Sequence, residues 1–125
     1  MVGHTGNRDA AVIAVEAVDL CLGRLIPVID ALHGALLVTA DHGNADEMFE
    51  YDKQGQIAVD KTGRRKAKTS HTLNRVPLYV YAPDARVRID SSVQKPRLAN
   101  IAATTLQLLG YAAPSDYEPG LLLPA

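Results

Sequence analysis

Ala35-Leu36-Leu37-Val38-Thr39-Ala40-Asp41-His42-Gly43-Asn44 is the stretch whose reading decides the fold. Its first four residues form an unbroken apolar run of strand length, and the run hands over within two residues to a carboxylate, an imidazole and a glycine. In an open α/β sheet, ligands bind at the carboxyl ends of strands, because the loops there crowd polar groups around one crevice. Asp41 and His42 are therefore the first candidates for chemistry. A strand-end turn capped by Asp and Gly would read the same way, so the pair needs support from elsewhere in the chain.

Before this strand, Val12, Val15, Val18, Leu22, Leu25, Ile29 and Leu32 recur at three- and four-residue spacing, the pattern of one long helix over 7–32. Asn7 is placed to cap it and Asp9 to complement the positive end of its dipole. Pro27 removes one rung and presses on the carbonyl of Gly23, which predicts a kink between Gly23 and Pro27 or two helices end to end. Gly34 is expected to stop the helix as a C′ glycine. Cys21, the only cysteine, falls inside the helical pattern and is expected to fill core.

After Asn44, residues 45–51 read as a short helical turn or an irregular rim. Two turn signals, Lys53-Gln54-Gly55-Gln56 and Lys61-Thr62-Gly63-Arg64, flank Ile57-Ala58-Val59 and predict a hairpin or long surface loop. This segment holds a local excess of positive charge, which could draw an anionic substrate or simply be a solvated face. A second strand is expected over 78–81 and a second helix over 98–109, its apolar positions Leu98, Ile101, Leu108 and Leu109 ending at Gly110. Residues 83–96 are turn-rich without a clear pattern, and 116–125 read as a loose tail.

The 125 residues suit one compact domain, with roughly two thirds of the unfolded surface buried. A net charge of -1 with interspersed signs argues against a nucleic-acid backbone partner. No apolar stretch approaches the ~20 residues of a membrane helix. With one cysteine and no signal segment, a cytoplasmic setting is expected.

Of the four histidines, His33 sits in the last turn of the long helix, where a cation complements the dipole. The other three lie where loops meet regular elements, beside glycine or small hydroxyl residues: Gly3-His4-Thr5-Gly6, Asp41-His42-Gly43-Asn44 and Ser70-His71-Thr72. Imidazole nitrogen and carboxylate oxygen suit divalent ions such as Zn²⁺ or Mn²⁺, and small neighbours let such ligands converge. His4, Asp41, His42 and His71 thus make the donor set of one or two metal sites. Scattered surface histidines would have the same spacing.

Met1-Val2-Gly3-His4-Thr5-Gly6, Thr39-Ala40-Asp41-His42-Gly43-Asn44-Ala45 and Thr69-Ser70-His71-Thr72, with Val76-Pro77 behind, resemble blocks found in the same order in cofactor-independent phosphoglycerate mutases of the alkaline phosphatase superfamily. The closing Ala113-Pro114-Ser115-Asp116-Tyr117-Glu118-Pro119 is similar to the plant and trypanosomatid branch. The Asp-His-Gly core is shared across that superfamily; the three blocks together are much more specific. The Gly3-His4-Thr5-Gly6 and Ser70-His71-Thr72 contexts speak against a phosphopentomutase or phosphodiesterase.

The resemblance implies the C-terminal part of a three-layer, alkaline-phosphatase-like α/β domain, with a long kinked N-terminal helix, short central strands and a C-terminal helix. It implies two divalent metals, commonly manganese, with cobalt or magnesium as substitutes. His4 and His71 match the histidines of one metal, and Asp41 and His42 match ligands of the other. It implies interconversion of 3-phosphoglycerate and 2-phosphoglycerate through a phosphoserine, in glycolysis and gluconeogenesis. The nucleophilic serine, two aspartates and the phosphotransferase domain with its substrate-binding arginines match nothing in these residues, and Ser70 does not fit the nucleophile's motif. The resemblance therefore covers roughly the last quarter of such an enzyme, and the isolated chain is expected not to turn over. The competing expectation is a non-catalytic α/β binding or assembly module that self-associates through bare apolar faces.

Overall fold

The computed structural model describes residues 1–125. They form two compact units, Met1–Ile26 with Ala40–Pro77, and Pro27–Thr39 with Leu78–Ala125. The elements in chain order are a 3-10 turn Val2–Thr5, helix α1 (Arg8–Ala31), strands β1 (Leu36–Thr39), β2 (Leu78–Tyr81) and β3 (Val87–Ile89), helix α2 (Asn100–Leu108) and strand β4 (Leu122–Pro124). The chain is α/β, as its periodicities predict, and its strands pair antiparallel, β1 with β2 and β3 with β4.

Helix α1 starts where Asn7 predicts, with the Asn7 Oδ1 accepting from the Ala10 N–H at 3.0 Å. It is one helix that continues through Pro27. Its end differs from the expected glycine stop. His33, at φ 53°, occupies the left-handed position, and Gly34 follows as the next residue out. The His33 N–H donates to Asp30 O at 3.1 Å and the Gly34 N–H to Ile29 O at 2.9 Å, the paired bonds of a Schellman turn. A histidine tolerates this conformation at a cost of about 1 kcal/mol, and its ring bonds Asp84 through Nδ1 to Oδ2 at 2.7 Å. Helix α2 ends in the same motif with Gly110 at φ 80° in the left-handed position, as its sequence predicts.

The first unit also holds a tight arm over 48–68. Gly55 and Gly63, at φ 76° and 81°, make two successive turns. In each, an aspartate at the turn entrance collects amides: Asp52 Oδ1 accepts from the N–H of Gln54 and Gln56, Asp60 Oδ1 from those of Thr62 and Arg64. The three segments close on themselves. The Glu50 N–H donates to Lys66 O at 3.0 Å, Lys66 N–H to Ala58 O at 2.9 Å, and Ala58 N–H to Glu50 O at 2.8 Å. Part of the basic excess is neutralised locally, since Lys68 pairs with Glu47 and the Arg65 guanidinium lies 5.7 Å from the Phe49 ring centroid.

In the second unit the expected loose tail is instead structural. Leu121 and Leu122 are buried, and β4 pairs Val87↔Pro124 and Ile89↔Leu122 with β3, inside the segment that gave no pattern. Helix α2 buries Asn100, Ala103 and Thr104, while Leu98 and Leu109 on its leucine stripe remain 45% and 64% exposed. The Asn100 amide takes the Arg97 N–H at 2.6 Å and donates to Pro119 O at 2.7 Å. Thr104 Oγ1 accepts from the Leu121 N–H at 3.0 Å, and Gln107 both donates to Leu122 O and accepts from its N–H.

The apolar stripe of α1 is likewise uncovered: Val12, Val15, Val18, Leu25 and Leu32 are exposed, Ala11 is the helix's buried residue, and Cys21 is exposed rather than in a core. The accessible surface is 9467 Å², against about 6,500 Å² for a folded monomer of this length. About half of the unfolded chain's surface is therefore buried, not two thirds. No helix is long and apolar enough to cross a membrane.

Candidate metal centre

Three segments of the first unit converge on one polar cluster. The 3-10 turn carrying His4 is closed by the Gly6 N–H to Gly3 O bond at 3.2 Å, and Gly6 exits at φ 69°. A Cβ on Gly6 would meet the Ala67 Cβ at 2.6 Å, so a glycine lets this turn lie against the segment leading to His71. The His4 Nδ1 then bonds Thr69 O at 2.7 Å. On the next segment, the Asn44 Nδ2 donates to Ser70 O at 3.2 Å, and the Thr72 N–H donates to Gly43 O at 2.9 Å. The Asn44 side chain fills the place where Gly3 has no Cβ, its Oδ1 only 1.9 Å from where that atom would stand.

These ties bring His4, His42 and His71 together. Their donor atoms lie within 4.8 Å of one another. The rings of His42 and His71 stack with centroids 3.6 Å apart and planes 14° from parallel, and His4 tilts towards both at 5.8 and 5.0 Å. His4 and His42 are half-buried and His71 is exposed. Asp41 is not gathered in: its side chain is 89% exposed, with Oδ1 3.6 Å from the His42 Nε2. His33 lies in the other unit, paired with Asp84.

The donor chemistry fits a divalent ion. His4 Nδ1 faces the Thr69 carbonyl and His42 Nδ1 the Gly43 carbonyl, at 2.7 and 3.2 Å. A carbonyl only accepts, so each Nδ1 carries the hydrogen and each Nε2 keeps its lone pair. Backbone carbonyls fix metal-ligating imidazoles in this same way. With Nδ1 donating to Thr69, the 3.5 Å approach of Asn44 Nδ2 to that atom is a contact between donors rather than a bond.

Sequence reasoning missed the groups that brace the cluster. Thr72 Oγ1 donates to the Asp46 carboxylate, at 2.9 Å to Oδ2, and Asn74 Nδ2 donates to the same Oδ2 at 2.5 Å and to Glu47 Oε1 at 3.0 Å. Those bonds, the one from Asn74 foremost, hold the Asp46 carboxyl below its ordinary range, and the bond from Lys68 does the same for Glu47. The available signal was Gly43 itself. A Cβ there would stand 2.1 Å from Thr72 Oγ1 and 2.8 Å from Asp46 Oδ1, so the brace passes directly over it.

Residues 1–113 match the family model of the metalloenzyme superfamily. A Leptospira interrogans protein named a probable 2,3-bisphosphoglycerate-independent phosphoglycerate mutase is 49% identical over 98% of this chain, and Arabidopsis thaliana 2,3-bisphosphoglycerate-independent phosphoglycerate mutase 1 is 47% identical over the same share. The chain spans about 22% of the length of each of these curated relatives. A crystal structure of Leishmania mexicana phosphoglycerate mutase at low cobalt concentration superposes with a TM-score of 0.93 and 43% identity, over 99% of this chain and 23% of that one. The chain belongs to the metalloenzyme superfamily, and its curated relatives, plant and trypanosomatid among them, are named 2,3-bisphosphoglycerate-independent phosphoglycerate mutases.

Proposed function

We propose that this chain supplies the divalent-metal face of a phosphoglycerate mutase, an isomerase that interconverts 3-phosphoglycerate and 2-phosphoglycerate through a phosphorylated serine. The observation that carries the reading is the convergence of three imidazoles from three separate segments within 4.8 Å. His4 and His71 would hold one ion, and His42 with Asp41 would contribute to a second, with manganese or cobalt the natural occupants for nitrogen and oxygen donors. When bound, such ions make a hydroxyl more acidic and neutralise charge on phosphoryl oxygens. The residues of this chain hold that site in shape. The Thr69 and Gly43 carbonyls fix the His4 and His42 tautomers, and Asp41, being exposed, is free to turn towards a ligand.

Serine nucleophile and substrate-binding arginines have no counterpart in the matched blocks, so 125 residues alone are expected to be inactive. The metabolic setting is glycolysis in the cytoplasm, with phosphoglycerate the small-molecule substrate. The test is metal uptake and complementation. The chain should take up Mn²⁺ or Co²⁺, and His4→Ala, His42→Ala or His71→Ala should each weaken uptake by about tenfold or more. Joined to the remaining sequence of a mutase relative, it should restore isomerisation, and the same variants should abolish it. Uptake unaffected by all three substitutions would end the reading.

A second reading, a non-catalytic assembly module, is favoured by one observation: the bare apolar stripe of Val12, Val15, Val18 and Leu25 on α1. Sedimentation separates the two. Oligomers that form without metal, in a chain that binds no Mn²⁺, would favour the module.

A further inference from the structure

We infer that Asp46 is a positioning residue for the histidine cluster: its carboxylate, accepting from Thr72 Oγ1 across the bare Cα of Gly43, locks the loop carrying His42 against the segment carrying His71. This rests on the metal-site reading for its purpose, but the geometry behind it is independent.

Gly43 and Thr72 form a single antiparallel bridge, with one backbone bond of 2.9 Å. One such bond leaves two segments able to hinge. Beyond that bond and the one from Asn44 Nδ2 to Ser70 O, the Asp46 carboxylate adds a tie onto the bridge itself, from three residues further along the His42 loop, at 3.2 Å through Oδ1 and 2.9 Å through Oδ2 to the Thr72 hydroxyl. Asn74 extends the tie with bonds to Asp46 and Glu47. Thr72 is only 8% exposed, so its hydroxyl is shielded from competing water.

His42 and His71 are the residues immediately before Gly43 and Thr72. Fixing the bridge at two points therefore fixes both ring origins, and the rings stack face to face at 3.6 Å. Neither Asp46 nor Thr72 belongs to the histidine cluster, so the effect is exerted through backbone placement. Asparagine at 46 would keep a carbonyl oxygen able to take the Oδ2 place, where the bonds from Thr72 and Asn74 both fall, so alanine is the substitution that removes the acceptor.

The experiment uses the 125-residue chain with Co²⁺ as probe. Thr72→Val removes the hydroxyl, Asp46→Ala removes its acceptor, and Thr72→Ser restores the donor. Thr72→Val and Asp46→Ala should each raise the Co²⁺ dissociation constant about tenfold, the lower end of the range for groups that orient ligands. They should also alter the visible d–d bands, whereas Thr72→Ser should stay within about twofold and keep the wild-type spectrum. In the metal-free protein, the ring-to-ring NOE between His42 and His71 should be present in the wild type and in Thr72→Ser, and lost in the other two variants.

Wild-type affinity and an intact NOE in both Thr72→Val and Asp46→Ala would overturn the inference. Should the wild type take up no Co²⁺, the metal reading falls, while the NOE series still decides whether Asp46 places the rings. Variants on both sides of the bond guard against one of them failing to fold.

Discussion

Two regions of this molecule are built with the same device and to opposite ends. Around α2, the side chains of Asn100, Thr104 and Gln107 bond the backbone of 97 and 119–122, and Gly120 has no room for a Cβ because the Gln107 Oε1 would stand 2.1 Å from it. Around the histidines, Asn44, Asp46 and Thr72 bond across Gly3 and Gly43, which are just as crowded. In the α2 region the polar atoms terminate on backbone partners, and Asn100 and Thr104 are sealed at 2% and 0% exposed while Gln107 lies at the surface. In the histidine region the bonds use one nitrogen of His4 and of His42 and leave the other free, in a cluster of three imidazoles whose donor atoms lie within 4.8 Å of one another. A polar network that closes on itself makes a core; one that closes around unspent lone pairs makes a site.

Substitutions should break the two regions differently. The largest effect on stability is expected from Asn100→Ala, which empties the place of a buried side chain, leaves the part-buried Arg97 N–H and Pro119 carbonyl without it, and should cost about 3 kcal/mol in urea unfolding, with metal uptake unchanged. Next is Gly120→Ala: the new methyl pushes the Gln107 amide away and forfeits both of its bonds to Leu122, at about 2 kcal/mol.

The smallest effect is the share of the pH dependence that the histidine region contributes. The Asp46 carboxyl titrates lower in the folded protein than in the unfolded chain, so its contribution is complete above the ordinary aspartate range and is lost as pH falls through the depressed folded value. Thermal unfolding of Asp46→Asn should therefore be less sensitive than wild type to acidification below about pH 4. An equal loss in both proteins would assign the acid sensitivity elsewhere.

The sequence carried the parts that repeat. Helix α1, β1 and β2 follow from three-to-four-residue spacing and from apolar runs, and the three histidine blocks are legible as motifs. Strands β3 and β4 are not, because three residues cannot show a period and their partners lie about 35 positions apart in the chain. Helix α2 misled by its leucines. Its buried face is polar, and such a face pays its way through bonds to backbone that hydropathy does not register. The same blindness hid Asp46 and Thr72, whose importance lies in what they touch across 26 residues. Asp41 was legible as a motif, yet motif reading gives no sign that its carboxylate stands out in solvent.

The arm over 48–68, with Glu50, Ala58 and Lys66 each bonded to the next in a closed circuit, has a consequence for how it comes apart. No one segment can peel away without releasing the other two, so those three amides should exchange with deuterium in a single shared opening event, at one rate. A circuit of this kind presents little unpaired edge to a second chain, which leaves this lysine- and arginine-rich arm a poor seed for fibrils even where the rest of the surface is sticky.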